Sequence, residues 1–103
     1  MARYLVLWRV NPAAWPTDPK QSLAVWQMAA GGGDALLKSG ALKELSWLSS
    51  EMGLAIFEAD SKAAVMGMVQ PFFPMFTQEI HEIVPWEAGK QALLNSASQV
   101  ASR

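Results

Sequence analysis

From Arg3 to Val10 the chain is a run of aromatic and branched residues with no turn former, which predicts a strand. Alternation sets Tyr4, Val6, Trp8 and Val10 on one face and Leu5 and Leu7 on the other, with Arg3 and Arg9 near the ends. Both faces are largely apolar, so both are expected to be covered. Asn11 with Pro12, Pro16 and Pro19 makes the next stretch a loop, in which Trp15 is the one large apolar residue. A helix is predicted to start near Pro19, with Asp18 or Thr17 placed to accept from its free amides, and to end by Gly40. Leu23, Trp26, Ala30, Gly33 and Leu37 fall on one stripe of that helix. Gly31, Gly32 and Gly33 interrupt it, each costing about 1 kcal/mol against alanine, so a helix weakened in its middle is expected.

Two further strands are predicted at Leu42–Leu48 and Leu54–Ala59, joined by the short connection "SSEMG". A second helix follows, capped by Asp60 or Ser61, with Val65, Met68 and Phe72 facing inward and Pro71 and Pro74 ending it. Thr77–Val84 reads as a fourth strand. Pro85 then opens a last helix with Trp86, Leu93, Ala97 and Val100 on one side. The order β-α-β-β-α-β plus a terminal helix is the ferredoxin-like pattern, an α+β arrangement with two helices on one face of a four-stranded antiparallel sheet. The other face, expected to carry Tyr4, Val6 and Trp8, then needs a second layer, and a second copy of the same sheet is the simplest source.

Composition sharpens that expectation. The 103 residues make one domain, 1–103, and 51% of them are hydrophobic but only 17% charged. Typical domains carry about 25% charge, so part of this surface is expected to be buried by a partner, in a homodimer or a larger assembly. A net charge of −1 with no basic block gives nothing to neutralise phosphates, so nucleic acid is not expected as a partner. The absence of cysteine excludes disulfides, thiolate catalysis and thiolate metal sites. The apolar run at the start is too short to span a bilayer and lacks the marks of a signal peptide, so a cytoplasmic protein without membrane contact is expected. The "GGGD" at Gly31 follows no strand and precedes no lysine of the kind that phosphate-binding loops use.

The stretch "GLAIFEADSKAAVMGMVQPFFPMFTQEIHEI", Gly53 to Ile83, resembles the muconolactone isomerase-like branch of the dimeric α+β barrel superfamily. The resemblance rests on the strand "IFEADS", the short helix after it, the segment Pro71–Pro74, and Glu79–Ile80 in the last strand. It implies a ferredoxin-like subunit paired into a dimeric α+β barrel. For the isomerase-like enzymes it implies a proton shift within an unsaturated lactone; the superfamily also holds small monooxygenases that need no cofactor. Carried over by position, Glu79 matches an acidic residue of the family's last strand, and His81 stands where that family tends to have another acid. Tyr4 and Val6 occupy first-strand positions that are more polar and basic in the isomerase.

The candidate chemistry is sparse. His81 is the chain's one histidine, the residue type that suits a general base near neutral pH. Glu79, two residues earlier on the same strand, shares its face and would orient the imidazole. A solvated pair at a strand end is the plainer account of both. One histidine and one carboxylate do not fill a zinc or iron site, so no metal or other cofactor is expected. Glu44 and Glu58 lie inside predicted strands among apolar neighbours, where Arg3 or Arg9 would pair with one of them and a polar ligand would be held; outward charges on an edge strand account for them equally well. Trp8 and Trp15 are candidates to line an apolar pocket, together with Tyr4. Two functions follow: a non-catalytic module binding a small apolar ligand, or a cofactor-independent isomerase or monooxygenase acting on an apolar or aromatic-derived metabolite, with Glu79 and His81 catalytic.

Overall fold

The computed structural model describes residues 1–103. The chain passes through β1 (Ala2–Val10), α1 (Pro19–Ser39), β2 (Leu42–Trp47), β3 (Met52–Ala59), α2 (Lys62–Val69), a 3-10 turn (Gln70–Phe72), β4 (Phe76–Ile83) and α3 (Trp86–Ala101). The protein is α+β, with one four-stranded sheet in the order β2-β3-β1-β4 and every neighbouring pair antiparallel. This is compatible with the ferredoxin-like pattern. The two central strands, β1 and β3, are the most apolar, as strands covered on both sides should be.

Local signals place the helices. Pro19 stands at the start of α1, where its missing N–H costs nothing; Asp18 precedes it as N-cap without making a side-chain bond. Gly40 ends α1 at φ 85°, a left-handed conformation that glycine adopts without a Cβ clash, and its N–H donates to the Leu37 carbonyl. Ser61, of the two candidates, caps α2: its hydroxyl accepts from the Ala64 N–H at 3.1 Å. The glycine run does not break α1, which is continuous for 21 residues. Its buried side is also turned from the expected stripe. Leu23 and Leu37 are exposed, whereas Trp26, Ala29, Gly33 and Leu36 line the space above the sheet.

The two faces of the sheet are the reverse of the expected assignment. Tyr4 and Val6 are 4% and 1% exposed and form the core with Leu42, Ala55, Phe57, Ala59, and Val65 and Val69 of α2. The register explains why these positions act together: Tyr4 faces Phe57, Val6 faces Ala55 and Ile80, and Trp8 faces Gly53 and Gln78. The uncovered face carries the alternate set. Leu5 and Leu7 lie there beside Leu54 and Ile56, ringed by Arg3, Arg9, Glu58, Glu79 and His81.

Gly53 is the position this packing requires. A Cβ there would collide with the Trp8 indole and with the Ser46 carbonyl, so only glycine lets the indole lie against β3. Gly31, by contrast, has open space on all sides. Gly31→Ala should therefore stabilise the fold by up to about 1 kcal/mol, and Gly53→Ala should destabilise it by about 1–3 kcal/mol. Urea denaturation of the two variants checks both signs; equal shifts would show that neither environment matters.

Candidate functional site

A cavity of about 170 Å³ lies between α1 and the sheet. It arises from where small and large side chains fall. Its floor is Val6, Ala55 and Phe57, and its roof is Ala29, Gly33 and Leu36 of α1. Small residues thus meet small residues across the middle. Around them stand aromatic rings that hold helix and sheet apart. Phe76 packs against Trp8, Trp15 and Trp26 with ring centroids 5.8, 5.5 and 5.6 Å away, and Trp47 lies 5.2 Å from Trp8 and 5.7 Å from Trp26. Most of these contacts are edge-to-face, the arrangement that aromatic quadrupoles favour.

The glycines of α1 admit the remaining walls. A Cβ on Gly32 would stand 2.7 Å from the tip of the Phe72 ring, and one on Gly33 would stand 3.0 Å from a Leu45 methyl. Both side chains close in on the helix because those Cβ atoms are absent. The glycine run is thus a contact surface for the cavity wall, and its propensity cost is offset by packing.

No acidic or basic side chain lines the cavity; its polar groups come from Ser46, Gln78 and the indoles. Gln78 donates to the Val69 carbonyl at 3.3 Å, which ties β4 to the end of α2. The Trp8 indole N–H is buried without a hydrogen-bond partner. Trp15 is satisfied, donating to the Ser22 hydroxyl at 2.8 Å. Nowhere do three His, Asp or Glu side chains gather to hold a metal ion.

The site residues expected from the sequence are dispersed. Trp8 lines the cavity, but Trp15 stands behind Trp26 and Phe76 as part of their support, and Tyr4 is packed in the core away from the void. Glu44 and Glu58 lie on the open face, where Glu58 pairs with Lys43 at 3.5 Å and neither Arg3 nor Arg9 makes a salt bridge. Glu79 and His81 do come together, at 3.5 Å, with side chains 65% and 54% exposed. They also lie on the open face, since His81 faces Leu5 and Glu79 faces Leu7. The expected grouping of Tyr4, Trp8, Glu79 and His81 around one pocket is therefore corrected: Tyr4 and Trp8 face α1 while Glu79 and His81 face the open side, and only Trp8 and Glu79 meet, at a small polar pocket with Arg9 and Gln78 at the end of the strand.

Sequence reasoning missed Ala29, Gly33, Ala55, Trp47 and Phe76 as cavity residues. The available signal was the small Ala55 on β3 opposite a helix stripe, Ala29, Ala30 and Gly33, that is itself small. Small facing small, flanked by aromatics, leaves a void. Compared with known proteins, the chain matches no family model, and no curated protein matches it either.

Proposed function

We propose that the chain is a non-catalytic binding module for a small apolar ligand, working as a homodimeric α+β barrel whose two sheets pack through their open faces. The observation that carries the binding reading is a 170 Å³ cavity walled by apolar side chains and lacking any titratable group. An apolar cavity of about 150 Å³ is known to stay dry and accept benzene, so one aromatic ring is the size of guest this space fits. Acid–base catalysis needs a proton acceptor within hydrogen-bond reach of the guest, and the cavity walls supply none. The isomerase or monooxygenase alternative would have to use Glu79 and His81 in a different space, between the two sheets of the dimer.

The dimer reading is supported by the row Leu5, Leu7, Leu54 and Ile56, a continuous, half-buried apolar strip across two central strands with no element laid over it. It also gains from the charges around that strip. Arg3 stands opposite Glu58 and Arg9 beside Glu79, neither in a salt bridge, and a two-fold contact would set these signs against each other.

Toluene, added as a one-ring probe, should raise the melting temperature of the protein and change its tryptophan emission, because four indoles surround or support the cavity. Ala29→Leu, which fills the roof, should leave the fold intact and abolish both effects. A Tm shift that survives Ala29→Leu would place the guest elsewhere and sink the reading. Separately, Leu7→Glu should give a folded monomer at micromolar concentration, whereas Val6→Glu, with its carboxylate in the core, should lose about 3 kcal/mol or more and unfold before any effect on assembly is seen. Sedimentation velocity with circular dichroism distinguishes the two outcomes.

A further inference from the structure

α3 leaves the body of the protein with little of its own chain to lie on. Every residue from Gln91 to Ala101 is exposed. The molecule is 63 Å long but only 22 Å thick, and its radius of gyration is 17.6 Å where a compact chain of this length has about 13 Å. The helix is nevertheless patterned for packing. Trp86, Leu93, Ala97 and Val100 recur at intervals of seven, four and three and, with Leu94, fill one sector; Gln91, Asn95, Ser98 and Gln99 fill the opposite one. Trp86, Leu93 and Val100 are 75%, 67% and 61% exposed.

A membrane surface is a poor match for this stripe. Helices that lie on bilayers carry lysine and arginine along the polar side. Here that side is amide and hydroxyl, and the helix's one lysine, Lys90, projects within the apolar sector, held by Glu87 at 2.8 Å. A second copy of the chain fits better, on grounds of area. The open face of a four-stranded sheet of this length offers about 500 Å². A stable interface buries about 800 Å² per partner, so the sheets alone fall short. A 16-residue helical stripe adds about 240 Å² given and, in a two-fold arrangement, about as much received, which brings each partner past that mark. Position agrees: α3 springs from the end of β4 where Ile83 faces Arg3, at the rim of the open face.

We infer that α3 is a reciprocal arm, packing its Trp86–Leu93–Val100 stripe across a second copy of the chain and completing the contact that the sheets begin. This rests on the dimer proposed above, and the test keeps the two apart. A photo-crosslinking benzoylphenylalanine is placed at Leu93 in the full-length chain, and two isotopically distinct preparations are mixed, equilibrated and irradiated. Mass spectra of the joined peptides then report whether the bond lies within one chain or between two. In parallel, sedimentation measures the dimer dissociation constant for Leu93→Glu, an exposed position whose change leaves the subunit fold in place. The expected results are mixed-isotope crosslinks and a dissociation constant raised about ten-fold or more. A dimer that Leu7→Glu breaks but Leu93→Glu leaves unchanged, with no crosslinks between chains, overturns the arm and spares the sheet contact. A monomer at every concentration overturns both. Sedimentation of the protein with phosphatidylglycerol vesicles, lost in Leu93→Glu and without inter-chain crosslinks, overturns the arm in favour of a membrane role for α3.

Discussion

The contact on which the rest of the structure depends is the Trp8 indole lying against Gly53. It fixes the largest ring of β1 flat against the neighbouring strand, and from there the aromatic set builds outward. Trp47 and Phe76 pack on Trp8, Trp26 packs on both, and Trp15 closes the far side. α1 is therefore held to the sheet by rings at one end and by Leu36 against the core at the other. Its distance from β3 is set by those rings, and the small residues between cannot fill it. The cavity is a consequence of that spacing.

A half-open void of 170 Å³ forgoes up to about 4 kcal/mol of packing against a filled core. That is a large fraction of what a domain of this size has to spare. A single alanine-to-leucine change on α1 or β3 would recover part of it, so the small residues are a choice that stability does not explain. The proposed binding would explain it, because a guest would restore the missing contacts without changing the chain. The same reasoning accounts for the absence of charge: a carboxylate facing this space would have to be desolvated with no partner, and none of the chain's carboxylates lines it.

The element order was legible in the sequence because strands of alternating bulky residues, a proline at a helix start and a left-handed glycine at a helix end are local signals. The orientation of the sheet was not. In β1 both alternating sets are apolar, and nothing local distinguishes Tyr4, Val6 and Trp8 from Leu5 and Leu7. β4 contained the answer, since Phe76 and Ile80 alternate with Thr77, Glu79 and His81. Using it required the register that sets Val6 against Ile80, and register is a tertiary fact. The site was less legible still. His81 and Glu79 draw attention because of what they can do chemically, whereas Ala29, Gly33 and Ala55 matter here because they are small. Trp8 was found because a large ring is conspicuous wherever it sits.

The apolar content of the chain exceeds what a single copy of it encloses. Hydrophobic residues are 51% of the sequence, yet only 11 of 103 residues are buried. A small domain always leaves apolar surface exposed, but scattered single residues need no explanation and continuous ones do. Two parts of the surplus are continuous, the half-buried strip from Leu5 to Ile56 and the exposed stripe from Trp86 to Val100. Both lie outside the cavity and neither contributes to it. The chain thus sets small residues around the cavity and leucines on the surfaces it presents. In the proposed dimer these are separate tasks: the guest is held within each subunit by the aromatic frame, and assembly can be weakened at Leu7 or Leu93 without touching a single cavity wall.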